Sequence, residues 1–289
     1  MKKIALATCR EFALLTADEK LLTKSLRELG FDAQPLIWDE PGQPLGEVAG
    51  VVIRSCWDYH KKSGEFLAWL GRLETTGVKV LNAPAVLRWN LDKIYLRELA
   101  ERGVKIPPTV WFEKGEKGDL ANTLAENDWD KAVLKPTISA TAWRTFLVTP
   151  ENANDLQSEF ESLLFDGGAM VQKFVEEVRT TGEWSFIFFD KTYSHAVLKR
   201  AEAGDFRVQN NFGGSVETAL EPAPALVREA QKTVNSMAED LTYARVDGVE
   251  IAGELCLMEF ELIEPVLFLD HHELAAQKFA AAIVSRLDA

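Results

Sequence analysis

The sequence predicts an α/β unit followed by an α+β region, and three observations carry that reading. Over the first third, short apolar runs alternate with single segments of helical periodicity, the order of parallel βαβ units. From Gly167 onward, runs of alternating apolar residues are separated by turns, which suits an antiparallel sheet. No flexible linker, internal repeat or low-complexity stretch divides the two parts. The 289 residues fit one large domain or two compact ones, and 47% hydrophobic with 27% charged residues is ample material for a core.

Ile4–Thr8 reads as a first buried strand. Thr16–Leu29 sets Leu21, Leu22, Leu26 and Leu29 at helical spacing, with Gly30 as its stop. Ala33–Trp38 and Gly50–Arg54 read as strands. Phe66–Leu73 places Phe66, Leu67, Leu70 and Leu73 on one helical face, ends near Gly77 and leads to a strand at Val78–Leu81. In open parallel sheets ligands collect at the carboxyl ends of strands, which points to Arg10, the segment Arg54–Tyr59 and Asn82. Asn90 is expected to cap a helix running to about Arg102, closed by Gly103. Ile106-Pro107-Pro108-Thr109 then makes a rigid turn, and Ala132–Pro136 is a strand ended by its proline. Further strands are expected at Glu183–Asp190, Tyr193–Lys199, Asp205–Gln209 and Leu255–Ile263, and helices at Ala223–Leu241 and Glu273–Leu287.

Asp and Glu number 45 against 32 Lys and Arg, a net charge of −13. Such a chain binds neither nucleic acid nor anionic membrane through general charge, although a few local cations suffice for a phosphate ligand. Cys9, Cys56 and Cys256 are odd in number and far apart, so neither a disulfide framework nor a zinc site is indicated, and a reducing compartment is expected. The start, Lys2–Cys9, faintly imitates a signal peptide, but its apolar core stops at Arg10-Glu11, so a cytoplasmic protein is expected. P-loop, dinucleotide-binding and nucleophile-elbow motifs are absent. His195 is expected to be packed and His271-His272 to lie in a cap region; Trp57 and Trp143 stand beside polar residues and are candidates to line a pocket.

Three groups of residues could carry chemistry. Glu259 and Glu261, two apart on a strand, project from one face, while Met258, Phe260 and Leu262 point to the other. With Asp247 from a neighbouring strand they form a hard oxygen cluster suited to Mg²⁺; the alternative is an exposed strand with a polar outer face. Lys93, in the first turn of a helix, and Lys135, ending an apolar strand, suit nucleotide phosphates, unless each is simply a solvated lysine. The run Lys199–Arg207, followed by Asn210, Asn211, Gly213 and Gly214, gathers cations, amides and glycines able to receive an anion, or forms an ordinary turn-rich hairpin.

In this order the pieces resemble the ATP-grasp superfamily over nearly the whole chain. Lys199-Arg200 through Asp205-Phe206-Arg207 to Gly213-Gly214 is similar to the branch of glutathione synthetase and the ribosomal-protein S6 glutamate ligase. Arg245-Val246-Asp247 with Glu259-Phe260-Glu261 is similar to the metal segment of D-alanine–D-alanine ligases. Arg54-Ser55-Cys56-Trp57-Asp58-Tyr59, Asn90-Leu91-Asp92-Lys93 and Leu134-Lys135-Pro136-Thr137 resemble a bacterial group that includes the O-ureido-serine cyclo-ligase.

The resemblance implies an α/β pre-domain over residues 1–89, an N-lobe over 90–171 and a C-lobe over 172–289, the lobes gripping ATP. It implies that Lys93 and Lys135 contact ATP phosphates, that Gln172-Lys173-Phe174-Val175 meets adenine through backbone groups of Lys173 and Val175, and that Glu183 lies near ribose or substrate. Asp247, Glu259 and Glu261 would hold Mg²⁺, or Mn²⁺ in its place; Arg245 would steady the reacting groups; Arg200, Arg207 and Asn210 would line the acceptor site. The implied activity is ATP-dependent carboxylate–amine ligation of a small amino acid or peptide-like substrate through an acyl phosphate, or a ring closure. The alternatives are a small-molecule kinase and a non-catalytic ATP-binding module. Expected partners are small carboxylates and amines, neither nucleic acid nor membrane, with a homodimer allowed. Two departures stand out: the loop over the phosphates, Thr137–Thr145, has no glycine and should be stiffer, and Glu261 stands where Asn is common, which adds charge for the metal.

Overall fold

The alternating first third forms a four-stranded parallel sheet. In this computed structural model, which describes residues 1–42, 45, 47–202, 205, 207–208, 213–217 and 220–288, the chain opens with β1 (Lys2–Thr8), α1 (Ala17–Glu28), β2 (Phe31–Ile37), β3 (Val48–Ser55), α2 (Ser63–Thr76) and β4 (Val80–Leu81). The strand order is β2-β1-β3-β4, parallel throughout. α1 starts on a capping box: the Glu19 N–H donates to Thr16 Oγ1, and the Thr16 N–H donates to the Glu19 carboxylate. α2 stops at Gly77, whose φ of 70° favours glycine.

Asn90 does not cap a helix. It lies inside α3 (Pro84–Leu91), and the chain breaks at Asp92–Ile94 before α4 (Tyr95–Glu101). The reason is tertiary. The Asn90 amide donates to the Phe260 carbonyl at 2.6 Å and accepts from the Leu262 N–H at 2.7 Å, replacing a neighbouring strand for the segment around Glu261.

The second sheet joins β5 (Thr109–Phe112), β6 (Ala132–Pro136), β7 (Phe146–Val148) and β8 (Ala169–Lys173), with α5 (Leu120–Asn127) and α6 (Ala153–Asp166) packed on it. Its order is β5-β8-β6-β7, antiparallel. The turn expected at Ile106–Thr109 thus hands directly into a strand. After α7 (Glu177–Thr180) come β9 (Glu183–Phe189), β10 (Thr192–Arg200), β11 (Ser215–Glu217), α8 (Pro224–Asn235), β12 (Tyr243–Ile251), β13 (Glu254–Glu261) and α9 (Ala275–Asp288). These strands form the antiparallel sheet β11-β10-β9-β12-β13. The strand expected at Asp205–Gln209 is not seen at its described residues 205, 207 and 208, and α8 stops six residues short of Leu241. The boundaries expected at 89/90 and 171/172 fall inside α3 and β8.

Two devices join the first sheet to the third. α9 enters a core shared with α1, β1 and β9, in which Phe279 stacks on Phe189 with ring centroids 4.9 Å apart. Asn82, at the end of β4, accepts from the Thr242 N–H at 2.6 Å and donates to the carbonyls of Tyr243 and Leu262, both at 3.0 Å. Cys9, Cys56 and Cys256 are buried free thiols. No helix among the described residues is long and apolar enough to cross a membrane.

Replacing Asn82 by Ala should strand three buried backbone groups and destabilise by about 2–4 kcal/mol, read as a lower urea midpoint at unchanged slope. His195 gives a pH test. Its Nε2 faces the Leu267 and Phe268 carbonyls, and burial, with His272 adding, pushes the ring down to about 4. A folded value below the unfolded one means stability is complete above about pH 6.5 and lost as pH falls toward 4, by roughly 3 kcal/mol. The urea midpoint of His195→Gln should fall less steeply than wild type over that window.

Candidate active site

One cavity of about 710 Å³ is lined by the second and third sheets and by the segments that follow β1 and β3, a volume suited to a small-molecule site. Arg245 lies opposite Glu261, and Asp247 opposite Glu259, across β12 and β13. On β9, Ser185 lies opposite Asp247, and Glu183 faces Lys199 of β10. Residues two apart share a face of a strand, so all these side chains meet on one surface. The carboxylate oxygens of Asp247, Glu259 and Glu261 lie within 4.8 Å of one another. Phe260 and Leu262 are buried on the opposite face as expected, but Met258 is not. A bulge after Asp247 leaves Met258 unpaired and turns it into the cavity.

Asp247 is 2% exposed and saturated with donors. Ser185 Oγ donates at 2.6 Å, Lys199 Nζ at 3.0 Å, and Arg245 through Nε at 3.0 Å and Nη2 at 2.9 Å. Burial opposes its charge, but Arg245 and Lys199 override it and hold the carboxyl down to about 2. Lys199 also pairs with Glu183 at 2.5 Å. Gly182 permits that pairing: at φ 90°, a Cβ there would meet the Lys199 carbonyl at 2.6 Å. Glu259 is lowered by Lys93, at 2.7 Å, and by Lys135, against burial. Glu261 goes the other way: burial, with Glu259 and Asp247 nearby, pushes it up to about 8 despite its contact with Arg245. Burial raises Glu264 well above the carboxylate range. Around the carboxylate cluster, Glu183, Asp247, Glu259, Glu261 and Glu264 stand among Lys93, Lys135, Lys199 and Arg245, and burial with neighbouring like charge raises Glu261 and Glu264. Hard oxygen ligands short of positive charge fit a divalent cation.

The opposite imbalance holds at Lys135. Burial, with Lys93 adding, pushes its ammonium down to about 8, and among the described residues it makes no ion pair. Lys93 donates to the Ser139 carbonyl at 2.8 Å, and its N–H bonds the Thr137 carbonyl, so it clips the loop Thr137–Thr145 at two points. Thr141, Ala142 and Arg144 of that loop take φ of 50–56° without being glycine, which costs each about 1–2 kcal/mol. Arg144 offsets this by bonding Glu159, Asp166 and Ser162 on α6.

Gln172, Lys173, Phe174 and Val175 form one wall. The Lys173 N–H donates to the Pro108 carbonyl at 2.8 Å, and proline has no N–H to return. The Lys173 carbonyl therefore receives no ladder bond from that side, which suits it to an amino group such as that of adenine. Gln172 is held by its amide bond to Thr109 Oγ1.

The first sheet supplies the far wall with Trp57, Asp58, Tyr59 and His60. Trp143 packs 5.4 Å from the His60 ring instead of lining the cavity. Arg207 lines the cavity, its guanidinium forked onto Asp205. Arg200 does not. As the neighbour of Lys199 on a strand it faces the other way, pairing with Glu217 at 2.5 Å and with the Thr180 and Thr181 carbonyls. Asn210 lies outside the described residues. Sequence reasoning missed Ser185 and Glu264 and gave Lys199 no role of its own; the parity of β10 was the available signal for Lys199.

Comparison with known proteins bears on this arrangement. A family model described as the N-terminal domain of D-cycloserine synthetase DcsG matches residues 4–82. The cycloserine biosynthesis protein DcsG of Streptomyces lavendulae is 30% identical over 98% of both chains. The chain belongs to the DcsG family of ATP-grasp ligases. A crystal structure of D-cycloserine synthetase DcsG superposes with a TM-score of 0.87 at 27% identity, covering 99% of each chain. An ATP-grasp RimK domain protein from Sphaerobacter thermophilus shares the fold at a TM-score of 0.71 and 16% identity, over 98% of this chain and 99% of its own. The protein is thus an ATP-dependent, ADP-forming ligase, and the predicted α/β then α+β architecture is the ATP-grasp fold.

Lys199 and Arg200, adjacent in sequence, should differ sharply on substitution. Lys199→Met leaves the buried Glu183 without its cation and Asp247 with Arg245 alone, and should destabilise by about 3–5 kcal/mol. Arg200→Met should change stability by less than about 1 kcal/mol. Urea unfolding of both variants checks the pair.

Proposed function

We propose that the cavity binds ATP with a divalent cation and joins the carboxylate of a small amino-acid or peptide-like substrate to an amine. One observation carries the reading: Asp247, Glu259 and Glu261 bring carboxylate oxygens within 4.8 Å of one another in the same cavity as the buried Lys93 and Lys135, an arrangement that a metal–nucleotide complex satisfies. In this reading Lys93 and Lys135 take the phosphates, Gln172–Val175 the adenine and Glu183 the ribose side. Asp247, Glu259 and Glu261 hold Mg²⁺, or Mn²⁺, which would offset phosphate charge during transfer. The same reading assigns residues 1–89, 90–171 and 172–289 to the pre-domain and two lobes, and sets the protein in the cytoplasm with small-molecule partners.

The γ-phosphoryl group passes to a carboxylate oxygen of the substrate, and ADP leaves. A nitrogen lone pair then attacks the acyl carbon, the carbon–oxygen bond to phosphate breaks, and inorganic phosphate departs with the proton that the nitrogen loses. Arg245 is fixed by Asp247, Glu261 and the Val266 carbonyl, so its charge is already in place for the oxyanion. The loop Thr137–Thr145 keeps water from the acyl phosphate. Ring closure on an amino-acid derivative is favoured over joining two molecules. The D-cycloserine synthetase family model matches the first sheet, and the ends of that sheet's strands supply the wall with Trp57, Asp58 and Tyr59.

The test supplies Mg-ATP with O-ureido-serine of both configurations and a panel of amino acids. ADP and phosphate should appear together, and hydroxylamine should trap a hydroxamate. A stable phosphorylated product without hydroxamate or free phosphate would make the protein a kinase instead. Lys135→Ala should weaken Mg-ATP binding by about 10–100-fold, one charge-assisted hydrogen bond; equal affinity in calorimetry would remove Lys135 from the site.

A further inference from the structure

Glu264 is a buried carboxyl with which no cation pairs among the described residues. It stands shortly beyond the end of β13, and two bonds from the end of β3 and the turn after it fix its backbone. Trp57 Nε1 donates to the Glu264 carbonyl at 2.9 Å, and Arg54 Nη2 donates to the Pro265 carbonyl at 2.7 Å. The residue is 8% exposed and lines the cavity. Tyr59 lines the same cavity at 5% exposure, its ring packed 5.1 Å from that of Phe66. Among the described residues neither the Glu264 carboxyl nor the Tyr59 hydroxyl makes a hydrogen bond or an ion pair, and neither is closed off from the cavity. The two groups adjoin: burial raises the Tyr59 hydroxyl well above its usual range, and Glu264 is the charge that acts on it most. Leaving a buried polar group unpaired costs about 1–3 kcal/mol, and more where it is charged. A ligand group with N–H donors and a positive charge removes that cost for both.

We infer that Glu264 and Tyr59 receive the α-ammonium of an amino-acid substrate, the carboxylate taking its charge and one N–H and the phenol oxygen accepting another. The inference rests on the ligase reading above and adds the group by which the substrate is recognised. Elimination selects this ligand. The phosphates and the carboxylate to be activated are anions, which a buried carboxylate repels. A divalent cation has the oxygens of Asp247, Glu259 and Glu261, within 4.8 Å of one another, and Glu264 stands outside that group. What remains is a positive group of the substrate itself, and an ammonium brings three N–H donors to these acceptors. Burial, with Glu261 and Glu259 adding, raises the Glu264 carboxyl well above its usual range, while Lys93 and Arg245 pull it down. The positive charge of an ammonium adds to that downward pull. An amine held in this way stays protonated and has no lone pair, so the nitrogen that attacks the acyl carbon is a different one. The pair thus fixes the substrate and keeps its α-amine out of the reaction.

The test uses the full-length protein with Mg-ATP and two acids, O-ureido-serine and 3-(ureidooxy)propanoate, which carries hydrogen in place of the α-amino group. Where another amino acid of the panel gives product, that acid and its counterpart without the α-amino group take their place. Wild type should prefer the amino acid by about 100-fold or more in kcat/KM, since its counterpart leaves buried polar groups unpaired. Glu264→Gln keeps the shape and removes the charge. It should raise KM for the amino acid by about 10–100-fold and narrow the preference by the same factor. Its kcat should stay within about fivefold and its Mg-ATP Kd within about twofold of wild type. Tyr59→Phe should narrow the preference by about 3–10-fold, one neutral hydrogen bond, and is read by the same ratio if Glu264→Gln shows no cooperative melting transition. Equal losses with both acids would overturn the assignment and leave Glu264 a structural residue; a loss that added Mg²⁺ restores would overturn it in favour of a metal ligand. A wild type that yields neither product nor hydroxamate with any amino acid refutes the ligase reading and this inference with it. An active wild type whose preference survives both substitutions refutes only the role of Glu264 and Tyr59.

Discussion

A carboxylate buried to 2% exposure survives only if its charge is met on every side, and Asp247 is the point on which the charged face of the cavity depends. Ser185, Lys199 and Arg245 converge on it from β9, β10 and within β12. Each of these partners is then fixed in turn: Lys199 by Glu183, and Arg245 by Glu261 and the Val266 carbonyl. The orientation of the whole charged surface follows from keeping this one group ionised in a low-dielectric setting. Removing a member would leave its neighbours as uncompensated charges, so the cluster behaves as a unit.

Holding such a surface against a cavity requires the three sheets to keep their places, and amide side chains do much of that. Asn90 pairs with the backbone on both sides of Glu261 as a strand would. Asn82 closes three backbone groups of the third sheet at the end of β4, and Trp57 Nε1 donates to the Glu264 carbonyl at 2.9 Å. These bonds cross the same boundaries that the cavity spans. The apolar contribution comes from α9, the last element of the chain, which packs with α1 and β1 from the first.

What is unsatisfied is as informative as what is paired. Burial depresses Lys135 despite Glu259 nearby, burial with Glu259 and Asp247 beside it raises Glu261, and the Lys173 carbonyl faces a proline. These three features lie on the wall of one cavity and are of different kinds. They suit the nucleotide that an ATP-dependent ligase must bind.

The sequence by itself determined the order of elements and the chemistry of the floor. Two-residue periodicity put Glu259 beside Glu261 and Asp247 near Arg245, because a strand has only two faces. Helical periodicity with Thr16, Gly30 and Gly77 marked the first two helices, since caps and left-handed stops are local. Tertiary structure decided the rest. Whether Lys199 or Arg200 faced the cavity depended on where β10 paired, which no local pattern states. Asn90 read as a helix cap because Asn often is one, but its partner is a strand 170 residues away. The elements β5, α5, β7 and α6 were not read from the sequence; they pack around β8 and Phe160. Met258 kept its apolar character and lost its expected face to a bulge.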